Sequence, residues 1–212
     1  IPFGDRIGRD TMEGGPAMKT DLERHLVIIG LGVNGSNVAL TARITGIPYV
    51  CIEMSPDMAR AAKARGEPVF HGDASQENVL AHVRIEAARV VVVAINDPAA
   101  AQRITSIVHS LNPGACLIVR TRYVQEVKEL RRLGATEVIP EEFETSVEIF
   151  SRVLSRYLVP QDEIEKLISQ VRTDGYRMFR NLSNEATPLM DLKRHFPDAD
   201  LITVRLAENA PL

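Results

Sequence analysis

From residue 25 to residue 158 the chain repeats one pattern, a short apolar run followed by a longer amphipathic stretch. The runs fall at 25–29, 49–52, 69–70, 90–95, 117–119 and 137–139. Between and after them, helical periodicity covers 34–46, 57–65, 75–83, 98–111, 123–133 and 142–158. Several stretches open on a capping residue, as Asp97 does before Pro98. Strand and helix in strict alternation predict an α/β fold whose parallel strands are covered by helices on both faces. The run 90–95, Val-Val-Val-Val-Ala-Ile, holds no polar residue and is expected at the centre of the sheet.

The turn after the first run narrows the fold further. Gly30-Leu31-Gly32-Val33-Asn34-Gly35 is a G-x-G-x-x-G placed between a strand and a helix. The first glycine permits a tight turn, the second lets a pyrophosphate approach the backbone, and the third lets helix and strand pack closely. The helix N-terminus beyond it offers free N–H groups to phosphate. At the end of the next strand stands Glu53, 23 residues after Gly30. A carboxylate at that place accepts from ribose hydroxyls and repels a 2′-phosphate. The following Met54-Ser55-Pro56 supplies no cation to hold such a phosphate, so NAD(H), AMP, ADP or ATP is expected over NADP(H). The whole is a Rossmann-like, doubly wound parallel sheet of six strands.

Composition removes other classes. With 25 Lys and Arg against 28 Asp and Glu, mixed along the chain, there is no basic field for nucleic acid or anionic lipid. The longest aliphatic run is far short of the roughly 18–20 residues that a membrane-spanning helix needs. Cys51 and Cys116 lie in strand-like runs, as buried thiols of a reducing, cytoplasmic setting do. Residues 1–24, rich in glycine and without apolar period, read as a linker or arm. The Rossmann domain is expected over 25–158, a helical dimerisation and connector segment over 159–195, and the start of a truncated domain over 196–212. Opening on Ile1 and ending soon after the strand-like 199–206, the chain reads as a piece of a longer protein.

Two further motifs carry a resemblance. Phe70-His71-Gly72-Asp73-Ala74 follows the third run, and Ala94-Ile95-Asn96-Asp97 ends the fourth. Together with the glycine loop and Glu53, they resemble the domain family that regulates potassium conductance, the nucleotide-binding (RCK/KTN, Trk-N-type) domain of Trk, Ktr and Kef systems. The resemblance implies an adenine nucleotide held by the loop, including Val33 and Asn34, by Glu53 and Met54, and by Ile95, Asn96 and Asp97. It implies adenine read by Asp73 and Ala74; a cap of the helix expected near Ser75 is a lesser reading of Asp73 that can coexist with binding. Arg120, closing the fifth run, is implied as the phosphate ligand, its planar fork matching phosphate oxygens. Arg122 is left to solvent or a second subunit. The resemblance implies that acids at the end of the sixth run meet ligand or metal in some members; here Glu141 and Glu142 read as dipole partners of a helix N-terminus, and no metal is assigned.

The same resemblance implies a homodimer, or a higher ring, formed through 142–172. The stripe Phe143, Val147, Phe150, Leu154, Tyr157 and Leu158 suits either that interface or packing on the chain's own sheet. The implied setting is the cytoplasmic face of a membrane, with the membrane-embedded part of a potassium channel or antiporter as partner. Glutathione control is not expected, because Val33 and Asn34 stand where glutathione-regulated Kef proteins carry a basic residue. No catalytic residue is assigned. The alternative is a fragment of an NAD-dependent oxidoreductase, but His25, His71, His82, His109 and His195 have no acid at a catalytic spacing. A third possibility is an assembly module whose nucleotide is structural.

Overall fold

The computed structural model describes residues 22–173. The arm expected before residue 22 and the segments expected beyond residue 173 lie outside the described residues. All six runs become strands: β1 (Leu26–Ile29), β2 (Tyr49–Glu53), β3 (Val69–His71), β4 (Val90–Val93), β5 (Cys116–Thr121) and β6 (Glu137–Pro140). Every pairing is parallel, in the order β3-β2-β1-β4-β5-β6. The helices are α1 (Val33–Thr45), α2 (Pro56–Ala64), α3 (Glu77–His82), α4 (Pro98–Leu111), α5 (Val127–Arg132), α6 (Glu141–Arg156) and α7 (Gln161–Thr173). β1 pairs with β2 on one side and β4 on the other, so the strand order reverses there. At that switch point the loops leaving the strand ends diverge and open a crevice.

Alternation along the central strands sends successive side chains to opposite faces, and each face builds its own core. Val27, Ile29, Val50, Ile52, Val91 and Val93 meet Leu80, Ile104, Val108 and Leu130 on one side. On the other, Leu26, Ile28, Cys51 and Val69 of the sheet share a core with Leu31 and with four helix alanines, Ala39 and Ala42 of α1 and Ala59 and Ala62 of α2. Such short side chains let those helices lie close against the sheet. Full burial of each of the larger aliphatic side chains contributes about 1.5–3 kcal/mol. Burial also pushes the Cys51 thiol up to about 12, which leaves it a small hydrophobe rather than a nucleophile.

Three elements differ from expectation. β4 ends at Val93, although the Ala94 N–H still donates to the Ile29 carbonyl at 2.8 Å. The helix expected over 75–83 is confined to α3, because Asp73 and Ser75 bond to each other in a turn that delays it. The helix expected over 123–133 starts as a tight 3₁₀ turn, Val124–Glu126, whose Glu126 carboxylate accepts from the Thr121 hydroxyl, before α5 begins.

His25 is fully buried just before β1. Its Nε2–H donates to the Val83 carbonyl at 2.9 Å, while Nδ1 has no hydrogen-bond partner. Burial lowers its pKa, opposed by the Val83 bond; among nearby charges Arg84 lowers it further and Glu86 raises it. The unfolded chain therefore takes up a proton near pH 6.5 that the folded one resists. His25 is expected to contribute stability that is present above about pH 6.5 and is lost as pH falls through the lower folded pKa. Urea unfolding between pH 5 and 8 checks this against His25→Gln; an unchanged acid-side slope in the variant would assign the loss to other groups.

The chain divides between Glu142 and Phe143 into two units. In the second, Phe143 and Val147 of α6 and Ile164 and Val171 of α7 are buried, and the Arg172 guanidinium forks onto Glu144 through Nε (3.2 Å) and Nη2 (2.6 Å). Burial of the α6 stripe fades along its length. Tyr157 and Leu158, just past the helix end, are 81% and 89% exposed, and Ile149 and Val153 are exposed beside them. No described helix is long and apolar enough to cross a membrane.

Candidate functional site

The residues singled out from the sequence lie at the C-terminal ends of the strands. Gly30 to Gly35 pass from β1 into α1, Glu53 closes β2, Asp73 and Ala74 follow β3, Ile95 to Asp97 follow β4, and Arg120 is the penultimate residue of β5.

The glycine loop holds three glycines under three different constraints. Gly30 takes φ of +92°, in the left-handed region that disfavours side chains, and a Cβ there would stand 2.7 Å from Ile95 Cγ2. A Cβ on Gly35 would lie 1.8 Å from the Gly30 carbonyl oxygen, so α1 can approach β1 only with glycine at this point. Gly32 differs: its φ is an ordinary −61°, and a Cβ there would meet nothing within 4 Å. Neither backbone conformation nor packing within the domain requires glycine at 32, and the open space above it is what a phosphate approaching the backbone needs.

Glu53 closes the loop from below. It is 8% exposed, its Oε2 accepts the Leu31 N–H at 2.7 Å and its Oε1 the Ser55 N–H at 2.8 Å. One carboxylate thus ties the loop after β1 to the turn after β2. Each oxygen retains acceptor capacity, since a carboxylate offers about four lone-pair sites. Ribose hydroxyls can use what remains. Met54 beside it is 69% exposed, and its carbonyl accepts from the His71 Nε2–H at 3.1 Å. Ser55 caps α2 through the Met58 N–H, and Arg60 on that helix is paired with Asp57.

Asp73 Oδ1 accepts the Ser75 N–H at 2.9 Å and Oδ2 the Ser75 hydroxyl at 2.8 Å. These bonds hold its carboxyl below the usual range. The N-cap position of α3 is Gln76, so Asp73 shapes the preceding turn rather than capping the helix. Asp97 does cap α4, accepting from the Ala100 N–H at 2.9 Å. Ala74 is buried; Val33 is exposed at the loop.

Arg120 is the hub of the other half. Nε and Nη2 fork onto Glu141, Nε at 2.5 Å to Oε1; Nη1 donates to the Ile95 carbonyl at 3.2 Å and to the Asn96 Oδ1. Asn34 Nδ2 donates to the same Glu141 Oε1 at 2.8 Å. The Arg120 hydrogen bonds hold the Glu141 carboxyl below the usual range, with Asn34 and the charge of Arg122 adding to the effect. Beside this network is a cavity of about 230 Å³ whose lining includes Asn96, Gln102, Arg120, Arg122 and Tyr123. The Arg122 guanidinium lies 5.4 Å over the Tyr123 ring.

Sequence reasoning missed Glu141 as a partner of these residues and read it only as a helix-dipole acid. The signal lay in the strand order: β5 and β6 are neighbours with Thr121 opposite Pro140, which brings a basic strand end beside the acid that follows the next strand. Among the described residues no group of three or more His, Cys, Asp and Glu is placed to hold a metal ion.

The TrkA-N domain family matches residues 26–141, which spans the sheet and every residue named above. The chain belongs to the TrkA-N domain family. This TrkA-N domain is 32% identical over 190 residues to the putative K(+) efflux antiporter KefB of Alkalimonas amylolytica, covering 90% of this chain and 28% of that protein. It is 31% identical over 153 residues to the chloroplastic K(+) efflux antiporter 1 of Arabidopsis thaliana, covering 72% of this chain and 13% of that protein. The chain therefore spans less than a third of the length of either relative. Among solved structures, the TrkA-N domain of the inner membrane protein ybaL from Escherichia coli superposes with a TM-score of 0.59 at 26% identity, over 61% of this chain and 96% of that one. The Kef CTD of Shewanella denitrificans, in AMP bound form, shares the fold with a TM-score of 0.61 at 22% identity, over 74% and 96%.

Proposed function

We propose that this TrkA-N domain is the cytoplasmic sensor of a potassium-efflux antiporter or potassium channel, binding an adenine nucleotide without transforming it. The observation that carries the reading is the pairing of an unobstructed Gly32 with a Glu53 carboxylate that braces the same loop. That arrangement has a place for phosphate over the loop and acceptors for ribose at the end of β2. Asp73 and the backbone beside it face the adenine edge, and Asn96 and Arg120 the phosphate end. The bonds made by the histidines favour a sensor over an oxidoreductase: His25, His71 and His82 are each bonded to a backbone carbonyl. The efflux antiporters among its relatives support a parent of that class, with the domain at the inner face of the membrane.

Two domains pair in this proposal through the exposed apolar side of α6, Ile149 and Val153, with Tyr157 just past its end, and nucleotide acts by favouring one arrangement of the pair. A ligand shifts such an equilibrium only by its difference in affinity for the two arrangements. Calorimetric titration of the nucleotide-stripped chain with AMP, ATP, NAD, NADH and NADPH tests the binding step. Saturable binding of one or more of the first four is expected, with NADPH weakest because no cation follows Glu53 to meet a 2′-phosphate. Asp73→Ala should weaken all of them. Absence of binding throughout would leave a scaffold that works by protein contacts alone.

A further inference from the structure

Two residues expected to touch the nucleotide, Asn34 on the first turn of α1 and Arg120 at the end of β5, converge on one carboxylate, that of Glu141. A guanidinium has five N–H donors. In Arg120, Nε and one Nη2 hydrogen go to Glu141, and both Nη1 hydrogens are directed at the Ile95 carbonyl and Asn96. A single donor is left. Forked binding of a phosphate needs two parallel N–H groups, and one edge of the guanidinium is already forked onto a carboxylate.

We propose that Glu141 is a built-in competitor of the nucleotide phosphate, holding the Arg120 fork and the Asn34 amide until a phosphate displaces it. The proposal rests on the nucleotide reading above and assigns that site a regulator of its own. Of the groups on Arg120, Glu141 is the one a phosphate replaces most readily. The Ile95 carbonyl belongs to the backbone at the end of β4, and Asn96 is neutral, whereas Glu141 is an anion of matching shape with a side chain 37% exposed. An incoming phosphate repels it by charge as it takes over its hydrogen bonds. Arg122 is near enough to act on the Glu141 carboxyl through its charge and offers the displaced group a second cation. Because Glu141 is the first residue of α6, exchange of one anion for another at Arg120 is registered at the start of that helix.

The test titrates the full chain and its Glu141→Gln variant with AMP and with adenosine. Glutamine keeps an acceptor for Asn34 but gives up the charge that holds Arg120. Glu141→Gln is expected to bind AMP about tenfold more tightly than the wild type, the scale of one charge-assisted hydrogen bond, and to leave adenosine affinity unchanged. In an Arg120→Ala background the gain should vanish. Equal or weaker AMP binding by Glu141→Gln, or an equal gain for adenosine, overturns the competitor while leaving the nucleotide site standing. Failure of the wild type to bind AMP overturns both. A second measurement uses the wild type alone: amide exchange over residues 141–145 should change on saturation with AMP and not with adenosine. Unchanged exchange at saturating AMP would also overturn the proposal.

Discussion

Gly35→Ala is expected to remove about 3 kcal/mol of folding stability, the upper part of the range for forcing extra volume into a packed site, and to abolish nucleotide binding with it. The added methyl would stand 1.8 Å from the Gly30 carbonyl oxygen and 3.0 Å from its carbon. Neither atom can withdraw easily. Gly30 is itself fixed in a left-handed conformation, with Ile95 Cγ2 at 2.7 Å and the Ala94 carbonyl oxygen at 3.2 Å from the place its own Cβ would take. The strain must then pass either into β1, whose neighbours on both sides are hydrogen-bonded in register, or into α1 as a whole. Gly32→Ala supplies the contrast. With open space and an ordinary φ, it should keep wild-type stability to within about 0.5 kcal/mol while losing nucleotide affinity, because the methyl stands where the proposed site takes the phosphate. Urea unfolding and calorimetric titration of the two variants separate the roles. A Gly35→Ala protein with wild-type stability would show that the loop is softer than its packing implies.

Glu53→Ala is the second large effect, and its cause is double. Removing the carboxylate strands the buried Leu31 N–H and the Ser55 N–H, at a cost of about 2 kcal/mol for one unsatisfied buried donor; Ser55 is less enclosed and can turn to water. In the proposed site it also deletes the ribose acceptor. Affinity for AMP or NAD should fall about 100-fold, the equivalent of one or two charge-assisted hydrogen bonds. Glu53→Gln separates the parts: the amide oxygen still accepts one backbone N–H, so much of the stability should return, while the amide NH₂ faces the other donor and the affinity stays low. A Glu53→Gln protein that matched the wild type in affinity would make the residue a brace of the loop and nothing more. Denaturant midpoints and titration with AMP decide it.

Much of this domain was legible before any coordinates. Six apolar runs are six strands, and the uncharged run at 90–95 supplies the central β4, because a strand covered on both faces excludes polar side chains wherever it lies in the chain. Asp97-Pro98 marks the start of α4 to the residue, since a capping side chain and a proline at the first helical position act locally. Other expectations fared differently. The start of α3 shifted because Asp73 found Ser75. The Tyr157 and Leu158 end of the α6 stripe is exposed, because periodicity specifies a face without specifying what covers it.

The sequence by itself determined the strand–loop–helix grammar and the chemistry offered at the strand ends, an acid closing β2 and a glycine loop after β1. These follow from short-range rules: the period of side chains along a strand, the freedom of glycine, the geometry of a helix N-terminus. Tertiary structure alone decided that Glu53 binds the loop it stands beneath and that Gly32, unlike Gly30 and Gly35, is free of packing. It also decided that Asn34 and Arg120 share the Glu141 carboxylate, although 107 and 21 residues separate them from it. Hydrogen bonds between side chains carried on different strand ends depend on which strands are neighbours and how their ends align, and those relations exist only once the sheet has assembled.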